Sequence, residues 1–238
     1  MKTETTNRKI LDLMEKRTVK FRDGAVHLSK TSKLDGVKSW SLLAKKTCPG
    51  SKNASVCNGC YALGGFYNMP TVIQPRVENQ KNWKLASWVD EMVAALKNER
   101  FFRWFDSGDI YKLELAEKIL AVCERTPWVN HWIPTQSWDI EKFQPILRKI
   151  DALPNAVVRA SAKHVDRPID SFQNSSVVLS GPDKASELNV TICHSFNNAG
   201  KCGSCRACYD KTAKTIGYVQ HGKTMAKHVN ILLSTIKA

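Results

Sequence analysis

The chain has 238 residues, of which 42% are hydrophobic and 24% are charged. This composition is typical of one ordinary globular domain and excludes a disordered or fibrous protein. No apolar run reaches the roughly 20 residues of a membrane-spanning helix, and the polar N-terminus lacks the apolar stretch of a signal peptide. We therefore expect a cytoplasmic protein without a membrane partner, folded as a single domain over residues 1–238.

The net charge of +14 is concentrated at the two ends of the chain. Residues 1–60 carry 13 Lys or Arg against 5 Asp or Glu, and residues 201–238 carry 7 against 1, whereas residues 61–200 hold 16 of each. The same two ends contain most of the cysteines. Positive charge there could offset thiolates and a metal cluster, bind an anionic cofactor, or bind nucleic acid.

The predicted elements begin with an amphipathic helix over Thr6–Arg17, a strand within Val37–Leu43 and a long helix over Pro75–Lys97. Strands and helices then alternate in the order Phe101–Phe105, Leu113–Arg125, Val129–Pro134 and Ile140–Ile150. Further elements are predicted as strands at Ala156–Ala160, Ser176–Leu179, Val190–Cys193 and Ile216–Gln220 and a final helix at Met225–Ile236. This alternation predicts an α/β fold, either a partial (βα) barrel or an open parallel sheet, with ligands at the carboxyl ends of the strands.

Seven of the eight cysteines fall into two groups that share a spacing. The first cysteine group, C-x8-C-x2-C, consists of Cys48, Cys57 and Cys60. The second cysteine group repeats this spacing and adds one further C-x2-C, and it consists of Cys193, Cys202, Cys205 and Cys208. Disulfides are rarely stable in the cytoplasm, so the cysteines indicate metal or redox chemistry rather than covalent crosslinks. Cys123, within a predicted helix, is expected to be a buried structural thiol.

Four thiolates can bind either a tetrahedral zinc ion or a [4Fe–4S] cluster. The run C-x2-C-x2-C is more typical of a cluster, because zinc usually takes its ligands as two separated pairs. The first group supplies only three thiolates. Either a histidine closes a structural site there, with His221, His194 and His27 as candidates, or one metal position stays open for a small-molecule ligand.

Polar residues follow the predicted strand at Phe101–Phe105, where active-site residues of parallel folds cluster. They are Asp106, Ser107, Gly108 and Asp109. An alternative role for Asp109 is to cap the helix that follows. Thr135, Gln136 and Ser137 occupy the equivalent place after the next strand. These positions predict a polar pocket for a small molecule.

Three stretches of the sequence resemble the phage-encoded gene product 88 family. They are SWSLLAKKTCPG with CNGCYALGGFYN, then FDSGDIY, then CGSCRACYDKTAKTIGYVQHG, and the resemblance extends from about Phe21 to His221. It implies a viral origin, hence the host cytoplasm as the location, and an iron–sulfur or metal site. It implies no particular reaction.

More distantly, the first cysteine group is similar to the radical S-adenosylmethionine (radical-SAM) enzymes, although those enzymes usually have the spacing C-x3-C-x2-C. Their three thiolates hold a [4Fe–4S] cluster whose fourth iron binds the cofactor, which is cleaved to a radical by one electron. The resemblance implies that the first group holds such a cluster and that Tyr61 is the aromatic residue after its last ligand. It also implies an auxiliary cluster in the cysteine-rich segment 193–221.

Two functions remain open on this basis. The first is a radical-SAM-like iron–sulfur protein with one or two clusters, binding S-adenosylmethionine or another small molecule, with Tyr61 and residues 106–109 at the cofactor. The second is a non-catalytic basic protein, braced by iron–sulfur or zinc, that binds host nucleic acid or a host regulatory protein. Whether the protein is an enzyme is left open, and zinc with a purely structural purpose is a third possibility.

Overall fold

The computed structural model describes residue 24 and residues 26–236. The predicted helix over Thr6–Arg17 lies outside them. The described chain contains the strands β1 Ser29–Lys30, β2 Lys38–Trp40, β3 Phe101–Trp104, β4 Asn130–Thr135, β5 Ala156–Ser161, β6 Ser175–Leu179, β7 Thr191–Ile192 and β8 Thr215–Val219. Its α-helices are α1 Pro70–Asn82, α2 Trp88–Ala95, α3 Leu113–Arg125, α4 Gln144–Ala152, α5 Lys184–Glu187 and α6 Lys223–Ile236.

All eight strands belong to one sheet, in the order β1-β2-β3-β4-β5-β6-β8-β7. β1 pairs antiparallel with β2, and every other neighbouring pair is parallel. From β2 to β6 the strands stand in their chain order, so each connection moves the chain one position across the sheet. The predicted α/β fold with a mostly parallel sheet is confirmed. None of the described helices has the length and apolar character needed to cross a membrane.

The helix predicted over Pro75–Lys97 is wrong in its bounds, because the structure has two helices, α1 and α2, in this region. α1 begins at Pro70, which suits proline because the first helical residue needs no N–H donor. Between the helices, the ammonium group of Lys118 on α3 donates to the carbonyl oxygens of Trp83 (3.0 Å) and Leu85 (2.7 Å). A side chain from a distant helix thus satisfies the carbonyl groups where the helix is interrupted. The local periodicity of the sequence contains no signal for this contact, so it predicted one continuous helix.

The remaining elements follow the predictions with small shifts in their bounds. α3 has the predicted ends. α4 begins at Gln144 rather than Ile140, after a 3-10 turn over Glu141–Phe143, and this places Pro145 in the first helical turn where proline is tolerated. β2 is limited to Lys38–Trp40, well inside the predicted strand.

Alternating strand residues face opposite sides of the sheet, and different parts of the chain cover the two sides. On one side, strand residues pack against α2, α3 and α4 to form the main core, in which Trp40 makes edge contacts with Trp88 and Trp104. On the other side, Trp132 of β4 packs with Cys208 and Tyr209 of the cysteine-rich segment. The second cysteine group therefore lies on the face opposite these helices.

Candidate metal centres

The first cysteine group lies on the loop that follows β2. Hydrogen bonds hold this loop against the ends of two other strands. The Leu42 N–H donates to the Ser107 carbonyl (2.9 Å) beyond β3, and the Val56 N–H donates to the Lys163 carbonyl (3.2 Å) beyond β5. Because parallel strands end at the same edge, the loop lies at the carboxyl edge of the sheet, where ligands bind in folds of this kind.

Two glycines allow the loop to lie this close to the sheet. A Cβ atom at Gly50 would stand 1.9 Å from the Gln136 carbonyl oxygen beyond β4. Gly108 has a φ of +79°, and a Cβ atom there would stand 2.5 Å from the Leu42 Cβ. In the structure, Gly108 allows the loop and the sheet to approach each other, and its cofactor-binding role stays a prediction.

The three thiols of the first group lie within reach of one another's charge. Burial raises the pKa of all three, to about 11 for Cys57. The charges of Cys57 and Cys60 further raise the pKa of Cys48, while Lys45 and Lys163 lower the pKa of Cys57. The three predicted ligands therefore lie close enough for their charges to interact, and the nearby charge of Asp109 raises the pKa of Cys48 and Cys57.

Asp109 is buried next to this group, and its carboxylate accepts four hydrogen bonds. Oδ1 accepts from the Ile110 N–H and the Thr135 hydroxyl (both 2.7 Å), and Oδ2 accepts from the Gln136 N–H (2.8 Å) and the Ser137 hydroxyl (3.1 Å). Burial raises the pKa of Asp109 to about 6, although these bonds lower it. Through these bonds Asp109 connects the ends of β3 and β4. The alternative prediction, that Asp109 caps the following helix, is wrong, since none of the described side chains caps α3.

Asp106 directly beyond β3 binds two arginines and a tyrosine. The Tyr67 hydroxyl donates to the carboxylate at 2.9 Å, the Arg76 Nη2 donates to it at 3.0 Å, and the Arg103 Nη1 lies 3.4 Å from it. The neighbouring Ser107 hydroxyl accepts from the Arg76 Nε at 2.6 Å. These polar groups are bonded within the protein, and the cofactor-binding role of residues 106–109 stays a prediction.

Tyr61 fixes the chain immediately after the last cysteine of the first group. Its hydroxyl donates to the Asp106 backbone carbonyl (2.7 Å) and accepts from Arg103 (3.4 Å). Burial raises the pKa of this hydroxyl to about 12, although the residue as a whole is 47% exposed. The ring is therefore open to solvent while the hydroxyl is enclosed. A cofactor role for Tyr61 stays a prediction.

The second cysteine group is positioned by the last two strands and by the β1–β2 region. Cys193 directly follows β7, and its N–H donates to the Gly217 carbonyl of β8 (2.8 Å). The Cys202 N–H donates to the Lys33 carbonyl (2.8 Å), which lies shortly before β2. Residues almost 170 positions apart in the sequence are thus joined at this group.

The four thiols of the second group also share one environment. Burial raises the pKa of Cys202, and the charges of Cys193, Cys208 and Cys205 raise it further, whereas Lys33 lowers it. Cys205 is exposed and the other three are half-buried. The four predicted ligands therefore lie close enough for their charges to interact, and Cys205 is the one open to solvent.

The histidines considered for the first group have other partners or positions. His27 is buried, with its Nε2 3.2 Å from the Glu78 carboxylate. His194 is exposed, and His221 lies within reach of the charge of Lys33, which also acts on Cys202 of the second group. A histidine that the spacing did not single out as a ligand, His164, shares a 3.0 Å hydrogen bond with Ser55, two residues before Cys57.

The donor chemistry of both groups fits a soft metal or an iron–sulfur cluster, since thiolates are the ligands these centres use. All eight cysteines, each within the described residues, are free thiols, and Cys123 is fully buried in α3 as predicted. In the described part of the chain, no three His, Cys, Asp or Glu side chains are placed so as to hold a metal ion. Cluster or zinc binding is therefore inferred from the donor set and its surroundings.

The charge count indicated positive charge near the cysteines, but it did not indicate which cations face the thiols. Lys33, Lys45 and Lys163 are ordinary surface lysines in sequence terms. Arg159 left a clearer signal, because a single arginine interrupts the apolar run AVVRAS of β5. A charge in the middle of a buried strand indicates a specific partner.

Comparison with known proteins gave one match. The family model described as gene product 88 matches residues 7–227. No curated protein and no solved structure matches the chain. The predicted resemblance to this family is confirmed, whereas the likeness to radical-SAM enzymes finds no support in these comparisons. The chain belongs to the gene product 88 family.

Proposed function

We propose that this protein is a phage-encoded iron–sulfur protein with two [4Fe–4S] clusters and a radical-SAM-like, partial (βα) barrel. The first cysteine group would hold one cluster with one iron free of protein ligands, and the second group would hold the other through four thiolates. One observation carries the proposal. Seven cysteines from distant parts of the chain form two sets, and within each set the charges of the thiols interact. Lys45, Lys163 and the carboxylate of Asp109 lie within charge range of the first set, and Lys33 and Arg159 lie within charge range of the second.

The spacing of the second group supports a cluster over zinc. Its run C-x2-C-x2-C is more typical of a cluster, because zinc usually takes its ligands as two separated pairs.

The protein's own contribution at the first group is to hold the cysteine loop on the carboxyl edge of the sheet. The hydroxyl groups of Tyr61 and Tyr67 hydrogen-bond the chain after Cys60 to Asp106. The hydrogen bonds of Asp109 connect the strand ends against which the loop packs. An open-iron cluster supplies one electron to bound S-adenosylmethionine, which is the chemistry of the enzymes that this group resembles. The proposal therefore includes a small-molecule ligand at this edge.

Electron paramagnetic resonance of the reduced, anaerobically purified protein tests the open iron. We expect addition of S-adenosylmethionine to change the spectrum of the wild type and of the variant Cys193→Ser/Cys202→Ser/Cys205→Ser/Cys208→Ser. The variant Cys48→Ser/Cys57→Ser/Cys60→Ser should not respond. Cys123→Ser is the matched control, since this buried thiol belongs to neither group, and it should behave as the wild type.

Two results would contradict the proposal. A fully loaded, reduced protein whose spectrum ignores S-adenosylmethionine would show that the first centre is closed. The second result is a protein that contains only zinc after anaerobic, iron-replete expression and that binds nucleic acid with an affinity falling steeply as salt rises. It would support the alternative, a non-catalytic basic protein that is stabilised by metal and binds nucleic acid.

A further inference from the structure

Arg159 is a buried cation on the sheet face that meets the second cysteine group. It lies on β5 and is 0% exposed. A buried charge is costly unless it is hydrogen-bonded and paired with an opposite charge. The partners of this guanidinium therefore indicate what the site is built to hold.

Among the described residues, the guanidinium donates only to backbone carbonyl groups. The acceptors are those of Ser175 (3.0 Å), Ala213 (2.9 Å), Lys214 (3.1 Å), Ala207 (3.3 Å), Asp210 (3.1 Å) and Cys208 (3.4 Å). Five of these six carbonyl groups belong to the stretch 207–214, which includes one ligand of the second group. Arg159 thus fixes the backbone around Cys208 onto the sheet.

Carbonyl groups satisfy the donors of Arg159 but carry no net charge. In the part of the chain that the structure describes, no carboxylate lies within salt-bridge distance of this guanidinium. The Arg159 Nε donates to the backbone carbonyl of Cys208 at 3.4 Å, so this positive charge lies beside one of the predicted ligands. An anionic, thiolate-bound centre at Cys208 would supply the opposite charge that a buried cation needs.

Two further cations surround the same group. The Lys33 ammonium lies 5.3 Å from the centre of the Tyr218 ring, and the Tyr218 hydroxyl is 3.1 Å from the Cys208 sulfur. Arg206 donates to the carbonyl of Cys205 at 2.8 Å. Four thiolates around a doubly charged ion or cluster core leave a net negative charge, and this arrangement of cations offsets it.

We infer that Arg159 is the counter-cation and positioning residue of the second cysteine group, holding the stretch 207–214 in place and supplying positive charge to an anionic, thiolate-bound centre. This inference rests on the proposed function, because it assumes a centre at that group. A nearby positive charge stabilises the more negative, reduced state of a cluster. Arg159 therefore raises the reduction potential of this centre.

The test uses a parent chain with Cys48→Ser/Cys57→Ser/Cys60→Ser, so that only the second group binds. Arg159→Met and Arg159→Lys are compared with Arg148→Met and Arg148→Lys, controls at an exposed arginine of α4. Two quantities are measured: the affinity for Co²⁺, from its thiolate absorption bands, and the midpoint potential of the reconstituted cluster, which takes one electron from dithionite.

We expect Arg159→Met to weaken Co²⁺ binding about 10- to 100-fold, as for other residues that support metal ligands, and to lower the midpoint potential. Arg159→Lys keeps the charge, so its potential should stay nearer that of the parent while Co²⁺ binding still weakens. If Arg159 had a purely structural role, Arg159→Met and Arg159→Lys would change the midpoint potential equally, and that result would overturn the inference. Arg159 variants that match the Arg148 controls would overturn it as well.

If Arg159→Met does not fold, Arg159→Lys decides the matter. Weaker Co²⁺ binding with a parent-like potential supports the inference, and unchanged Co²⁺ binding overturns it. Failure of the proposed function gives a different result. In that case the parent chain itself would show neither a cluster nor cobalt–thiolate bands, and this would reject a centre at the second group whatever the Arg159 variants do.

Discussion

Asp106 is the residue where the segment after the first cysteine group, α1 and the sheet meet. Its carboxylate is nearly inaccessible to solvent and binds Tyr67, Arg76 and Arg103. The preceding residue, Phe105, has a φ of +54°, a left-handed conformation that bulky residues rarely adopt. Strain of this kind persists where surrounding contacts fix the chain, and the contacts of Asp106 do so here.

Asp106→Asn should therefore destabilise the fold strongly. Removing one partner of a buried ion pair costs about 3 kcal/mol or more, because the other charge is left buried. Urea unfolding of the metal-free protein measures this cost. Asp90→Asn is the control, since Asp90 forms an exposed pair with Arg125 and its loss should cost less than about 1 kcal/mol. Equal effects of the two substitutions would contradict the account of this site.

Asp109 gives a prediction about pH. Its pKa is raised by burial from 3.8 to about 6, so between these values the folded protein binds more protons than the unfolded chain. The contribution of Asp109 to the free energy of unfolding is therefore largest below about pH 4 and is lost as the pH rises through 6. The loss is on the order of 3 kcal/mol, since one unit of pKa corresponds to about 1.4 kcal/mol.

Unfolding of metal-free wild type and Asp109→Asn at several pH values measures this effect. The wild type should lose more free energy of unfolding than the variant between about pH 4 and pH 7, because asparagine does not titrate. Parallel pH dependences for the two proteins would show that Asp109 does not contribute in this range.

At the scale of elements, the position of the cysteine loop depends on its glycines. A Cβ atom at Gly50 would stand 1.9 Å from the Gln136 carbonyl oxygen, and a backbone atom cannot move aside as a flexible side chain can. Gly64 offers a matched control in the following segment, because a Cβ atom there has nothing within 4 Å. The two positions therefore separate close packing from the general effect of replacing glycine.

We expect Gly50→Ala to cost about 1–3 kcal/mol of stability, the usual range for overpacking, and to lower iron binding at the first group. Gly64→Ala should leave both nearly unchanged. The measurements are thermal unfolding and iron content in a chain whose second group is replaced by serines. Full iron retention by Gly50→Ala would contradict the proposed dependence of the first centre on loop position.

The alternation of strands and helices was predictable because each element buries one face, and periodicity records that face. β3, β4, β5 and α3 follow from it closely. The break between α1 and α2 was not predictable, since it depends on Lys118 from α3. The position of β7 at the edge of the sheet, beyond β8, was also not predictable, because chain order alone does not determine which strand lies at the edge.

For the whole molecule, the concentration of charge at the chain ends has a structural counterpart. Lys33 and Lys45 come from the basic N-terminal stretch and Arg206 from the basic C-terminal stretch, and each lies beside a cysteine group or its loop. Under the proposed function, this part of the basic excess offsets the charge of the thiolate-bound centres. The cysteine spacing indicated the two groups of cysteines, but Arg159 could not be matched to its acceptors from sequence, because most of them lie about 50 residues further along.

Iron and acid-labile sulfide per chain, measured on anaerobically purified protein, test the central claim most directly. The wild type should contain about eight of each, and each of the two group-deletion variants should contain about four of each. Replacing the second group should remove one cluster without affecting the other, because the groups lie on separate parts of the sheet. Stoichiometric zinc with no iron or sulfide, obtained under iron-replete anaerobic expression, would contradict the claim.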